Sequence, residues 1–158
     1  MAGKNKKSGK TSSSIAVNRR ARHDYDIIKT IECGLVLTGS EVKSLREGHG
    51  NIMEAYGIFT KGELWLLNSS ITPYSHGGYS NHEDRRTRKM LVHKREIIKL
   101  KHEMDTQSLT MVPLKMYWKK GNIKIEMALV RGRKKQDKRA ALKEKDWKRQ
   151  KQRVLANH

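Results

Sequence analysis

Cysteine, proline and phenylalanine are almost missing from this 158-residue chain, which has one Cys, two Pro and one Phe. A single thiol, Cys33, forms no intrachain disulfide, so a reducing compartment is compatible. It reads as a small buried hydrophobe on a strand. No segment approaches the ~20 apolar residues of a membrane span. No apolar stretch follows the basic N-terminus, so a signal peptide is not expected either. Sets of catalytic and metal-binding residues are lacking too. The seven histidines include no zinc-like set, since His76 and His82 lie on a Gly-rich stretch with no second cysteine. No phosphate-cradling loop ending in Lys-Ser/Thr precedes a helix, and Ser44 has no visible base and orienter. The expectation is no enzyme, no catalytic residue, no metal and no cofactor.

Acid is absent from residues 1–22, which carry Lys4, Lys6, Lys7, Lys10, Arg19, Arg20 and Arg22. Residues 131–158 hold twelve Lys/Arg against Asp137, Glu144 and Asp146. Of the net charge of +19, sixteen units therefore sit in two terminal segments flanking a nearly balanced body. Like charges repel in a compact state, so a folded domain gains nothing from this crowding. A polyphosphate gains a great deal, because each neutralised phosphate releases counterions. The pattern predicts a nucleic-acid binder with a compact core and two basic arms. Residues 1–17 are expected to be a disordered extension, 18–130 the folded body and 131–158 a basic tail; the Lys/Ser/Gly-rich start cannot offset its ordering entropy by burial.

In the body, Tyr25, Ile27, Lys29, Ile31, Cys33, Leu35 and Leu37 alternate with mostly polar neighbours, predicting a long strand with a bulge or bend at Gly34. Gly39–Gly48 predicts a short helix, with Ser40 as cap, Glu41 at its positive end and Gly48 closing it. Two strands meeting at Lys61-Gly62 predict a hairpin, as do Leu109–Trp118 and Ile123–Val130 around Lys119–Asn122. Thr72–Arg86 predicts a mobile loop, and Lys94–Met104 a second helix. The tally is mainly β: an OB-like, five- to six-stranded barrel with short inserted helices, or an SH3-like barrel on the same pattern.

After Val130 the alternation stops. Asp137 can cap a helix through Ala140–Leu155, with Glu144 and Lys148 as an i,i+4 pair. Leu142, Trp147, Val154 and Leu155 form no continuous stripe, so this helix has no protein face to bury. The tail is expected to be disordered when free and helical when bound among phosphates; a purely solubilising tail is the alternative.

Several blocks in order resemble the SmpB family of SsrA-binding proteins: Asn18–Tyr25, Gly39-Ser40-Glu41-Val42-Lys43-Ser44-Leu45-Arg46, Ile71–Tyr74, Arg86–Val92, Val112–Leu114, Tyr117-Trp118, Gly132–Lys135 and Asp137-Lys138-Arg139. The resemblance covers about residues 15–155. It implies an OB-like barrel that binds the tRNA-like domain of transfer-messenger RNA. It also implies a tail that enters the vacant mRNA channel of a stalled ribosome near the decoding centre. Elongation factor Tu and alanyl-tRNA synthetase act on the same RNA. A cytoplasmic monomer, ribosome-associated when active, is the corresponding expectation.

Carried over by position, Asn18, Arg19, His23, Glu32, Lys89, Leu91, Lys124 and Arg131 are the candidate RNA-binding residues. His23 would stack on a base, and Lys89 and Lys124 would meet phosphates. Glu32 as a solvated strand residue and Leu91 as core are the plain alternatives. Gly132, Arg133, Lys134, Lys135, Gln136, Asp137, Lys138 and Arg139 would lie at the tail's entry to the ribosome, with Trp147, Val154 and Leu155 seating its far end. Gln136 stands where family tails often place an aromatic or His, so an amide replaces stacking there. A ribosomal or ribosome-assembly protein is the alternative function.

Overall fold

In chain order the elements are strand β1 (Ser14–Val17), helix α1 (Ala21–Asp24), β2 (Tyr25–Leu35), α2 (Gly39–Arg46), β3 (Gly50–Asn51), β4 (Tyr56–Thr60), β5 (Glu63–Leu67), β6 (Ser70–Ile71), β7 (Arg88–Leu91), α3 (Lys94–Gln107), β8 (Thr110–Lys119), β9 (Asn122–Gly132) and α4 (Lys135–Ala156). The computed structural model describes residues 14–132 and 135–156. The disorder expected for residues 1–13 lies outside the described residues, as do Arg133 and Lys134.

Six strands close a ring in the order β8-β4-β5-β7-β2-β9, with β9 pairing back onto β8; β1 adds to β8 outside the ring, and β3–β6 form a small separate pair. Hairpins β4–β5 and β8–β9 both turn on a Lys-Gly pair, Lys61-Gly62 and Lys120-Gly121, with positive φ at all four residues. That turn matches the twist of the flanking strands. Along β9 the inward residues Ile123, Ile125, Met127 and Leu129 join Met111, Met116, Leu64, Leu66 and Met90 in the barrel core. A second, smaller cluster on the outer side buries Ala128 and Val130 with Ala21, Val112 and Leu114. Helix α1 therefore covers one half of the outer face of β9 and leaves Lys124 and Glu126 uncovered.

Several expectations are corrected. Strand β1 occupies part of the stretch 1–17 assigned to an extension, and β9 continues past residue 130 to Gly132. The bulge in β2 falls at Ile28, between the pairs Ile27↔Val130 and Lys29↔Leu129, and not at Gly34. Thr38, not Ser40, caps α2: its hydroxyl accepts from the Glu41 N–H at 3.4 Å, while Glu41 Oε2 accepts from the Thr38 N–H at 3.1 Å. This reciprocal capping box satisfies two orphan donors. Ser40 instead bonds His82 Nδ1 at 2.9 Å, and His82 Nε2 donates to the Ile71 carbonyl at 2.8 Å. Together with bonds between Asn81 and Tyr74 at 2.7 and 3.0 Å, these link the segment 72–86 to α2 and β6. Helix α4 starts at Lys135, so Asp137 sits in its first turn and does not cap it.

Candidate nucleic-acid interface

At Gly34 strand β2 pairs with two neighbours, Lys124 of β9 and Leu91 of β7. A Cβ there would lie 3.2 Å from Leu91 Cβ and 3.6 Å from Lys124 Nζ. The missing side chain lets those two residues close over the strand, which is the use of this glycine. Around them a cleft of about 550 Å³ is lined by Glu32, Lys89, Leu91 and Lys124, with His93 and Lys94 from the start of α3. Four of the expected RNA-binding residues thus come together.

Leu91 is 52% exposed and is not core. In β7 the alternation is inverted: Arg88 and Met90 point inward, while Lys89 and Leu91 point out. An exposed leucine between two lysines offers an apolar contact beside cations, suited to unstacked bases and their phosphates. Lys89 Nζ is held by Glu63 Oε1 at 2.9 Å. Glu32 accepts from the Tyr117 hydroxyl and from Lys119 Nζ at 3.0 and 3.1 Å. The hydrogen bond from Tyr117, then that from Lys119, outweigh partial burial and hold the Glu32 carboxyl below the usual range. Burial first, and the bond to Glu32 second, push the Tyr117 phenol up.

A second cleft, of about 430 Å³, is lined by Asn18, Arg19, Arg22, His23, Lys115 and Glu126. Asn18 itself is buried: its Nδ2 donates to the Pro113 carbonyl at 3.1 Å and its Oδ1 accepts from the Ala21 N–H at 3.2 Å. Its side chain fixes α1 on β8 and so positions His23, whose half-exposed ring lies beside Asp24 at 3.0 Å. Arg131 is exposed at the end of β9, opposite Asp26.

The two clefts share one surface. Glu126 lines the second and Lys124 the first; they point the same way from β9, about 7 Å apart along the strand. Glu126 pairs across with Glu32 of β2 and Lys115 of β8, and Lys115 Nζ lies 3.4 Å from its carboxylate. Sequence reasoning missed Tyr117, Lys119, Lys115 and Arg22. Alternation in β8 was the available signal, because it sets Tyr117 and Lys119 opposite the inward Met116. Gly39–Arg46, by contrast, contributes a buried Glu41 to the scaffold rather than a carboxylate to this face.

In α4 the backbone of Lys135, Gln136, Asp137 and Lys138 is helical. Gly132 and Arg139 are exposed. Trp147, Val154 and Leu155 are all well over half exposed. Glu144 and Lys148 form the expected pair at 3.2 Å. At 22 residues the helix is about 33 Å long. Among the described residues no group of His, Cys, Asp and Glu could hold a metal, and no helix is long and apolar enough to cross a membrane.

Residues 15–157 match the family described as SmpB protein. Similar curated proteins are the SsrA-binding protein of Chelativorans sp. (strain BNC1), 49% identical and covering 90% of this chain and 93% of that one, and that of Sphingomonas elodea, 51% identical over 90% and 89%. A third, from Brucella canis, is 50% identical over 89% and 90%. Among solved structures, a chain from "tmRNA-SmpB: a journey to the center of the bacterial ribosome" superposes with a TM-score of 0.63 at 46% identity, covering 75% of this chain and 84% of that one.

Proposed function

The chain belongs to the SmpB family, and from that premise we propose that it is an adaptor that binds the tRNA-like domain of transfer-messenger RNA and brings it to stalled ribosomes for trans-translation. The observation that carries this reading is the single outer face on which Glu32, Lys89, Leu91 and Lys124 meet, continuous through Glu126 with the His23 cleft. Such a face reads a folded RNA by shape: cations for phosphates, an apolar side chain and an imidazole for unpaired bases, a fixed carboxylate for base or sugar donors. The adaptor performs no covalent chemistry and holds no cofactor. It works in the cytoplasm as a monomer, alongside elongation factor Tu and alanyl-tRNA synthetase through the shared RNA.

The tail has a different task. Residues 131–158 carry nine excess positive charges, and Trp147, Val154 and Leu155 on α4 stand open to solvent. Self-repulsion, and the exposure of every described residue from Leu142 to Ala156, make this segment marginal alone. Between rRNA walls the repulsion is screened and the helix orders, with Arg133–Arg139 near the decoding centre and Trp147 to Leu155 further along the empty mRNA channel. The experiment is truncation at residue 130. Binding of the tRNA-like domain should survive, and tagging of stalled chains should stop; tagging at the normal rate would defeat the division of labour. Glu144→Pro, costing about 3 kcal/mol of helix stability, should reproduce the loss of tagging with RNA binding intact. Recovery of stoichiometric rRNA instead of one dominant tRNA-like RNA from cells would favour a ribosomal-protein role.

A further inference from the structure

We infer that the mouth of the barrel beside Trp118 is a slot for one unstacked RNA base. A cleft of about 400 Å³ opens there between the end of β2 and the β8–β9 turn, walled by Leu35, Leu37, Val42, Leu91 and Trp118. Barrel mouths are a common place for such sites. The Arg46 guanidinium lies 5.8 Å from the Trp118 ring centroid, and Lys124 lines the cleft. The slot is continuous with the Glu32 cleft, because Gly34, Leu91 and Lys124 line both.

The chemistry selects its occupant. An apolar wall ending in an indole, with a planar cation beside it, matches the face of a nucleobase, which stacks on aromatic rings and on guanidinium planes alike. Lys124 in the lining and Arg46 beside the indole match the phosphates of that nucleotide, and they disfavour a basic protein segment. A base inside a duplex cannot enter, since its faces are covered by its stacked neighbours. The residue that fills the slot is therefore unpaired or extruded from the folded RNA. This deepens the proposed RNA-binding role and rests on it.

The test uses the full chain and the tRNA-like domain of transfer-messenger RNA. With p-benzoylphenylalanine in place of Asn122, an exposed residue at the rim, irradiation of the complex should crosslink one nucleotide, unpaired in the RNA fold. Arg46→Gln, a change at an exposed position, should weaken binding several-fold and reduce that crosslink. Trp118→Leu should weaken binding roughly tenfold, the loss expected for one stacked base. Crosslinks confined to base-paired nucleotides, or none, with RNA still bound at wild-type affinity, overturn the slot and leave RNA binding standing. Failure of the unsubstituted protein to bind this RNA overturns both.

Discussion

Two carboxylates, Glu41 at the start of α2 and Glu32 on the outer face of β2, are each held by two neighbouring side chains, in opposite surroundings. Glu41 is completely buried; Arg86 grips it through Nε and Nη2 at 2.8 and 2.9 Å, and buried Arg88 adds a bond at 3.1 Å. Arg88 gives three more hydrogen bonds, to the Ser69 hydroxyl and carbonyl and to the Asp84 carbonyl, at 2.8 to 3.0 Å. Among the described residues this network leaves no buried side-chain polar atom unsatisfied. It ties α2 to β7. Glu32 keeps 38% of its side chain exposed beside Lys124 and Leu91. The same pairing of acid and base is scaffold where water is excluded and stays accessible to a partner where water can reach it.

The largest expected effect lies on the buried side. Arg88→Ala leaves the buried Glu41 charge with Arg86 as its remaining cation and the Ser69 and Asp84 carbonyls without this donor, and should cost about 3 kcal/mol, read from urea denaturation; a loss below about 1 kcal/mol would erase the contrast with the surface cluster. Acid should find the same site. Burial raises the Glu41 carboxyl, but the Arg86, Thr38 and Arg88 contacts outweigh it and hold the folded value low. Its contribution is therefore complete above the unfolded carboxylate value of about 4.3 and is lost as pH falls through the lower folded value. Denaturation midpoints across that window should drop in the wild type, and less in Glu41→Gln.

On the exposed side the effects move from stability to RNA binding. Lys124→Ala should flatten the plot of log K against log salt by roughly 0.7–0.9, the share of one phosphate contact. Lys89→Ala should do less, because Lys89 must first leave Glu63. Equal slopes for both variants would show that the Lys89–Glu63 pair does not compete with RNA. Smallest of all, Glu32→Gln and Tyr117→Phe should shift folding stability by less than about 1 kcal/mol, as for other exposed pairs, while weakening RNA binding several-fold in filter-binding assays. A stability loss matching that of Arg88→Ala would make Glu32 part of the scaffold.

Much of the barrel was legible in the sequence because β9 alternates through Leu129, β2 alternates on each side of its bulge and the two hairpins carry Lys-Gly turns. Strand β7 was not, although it completes the ring. Its four residues place an arginine inward and a leucine outward, the reverse of what alternation teaches. Strand β1, with four residues, is too short for any period to stand out. The candidate RNA-binding residues came from the family resemblance, and four of them, Glu32, Lys89, Leu91 and Lys124, line one cleft. Even so, Asn18 proved to be an anchor bonded to Pro113, and the partners of Glu32, 85 and 87 residues further along the chain, were not anticipated.

The sequence by itself determined the segregation of charge, the helix-forming tail and the inward face of β9, all properties of neighbouring residues that local periodicity encodes. Only the tertiary structure decided which side of β7 faces water. Arg88 can turn inward because Glu41, 47 positions away, neutralises it there. Turning Arg88 inward turns Leu91 outward, and Gly34 lets it meet Lys124 over β2. Whether a charge can be buried depends on its partner, and ring closure brings that partner from a distance that no local pattern can record.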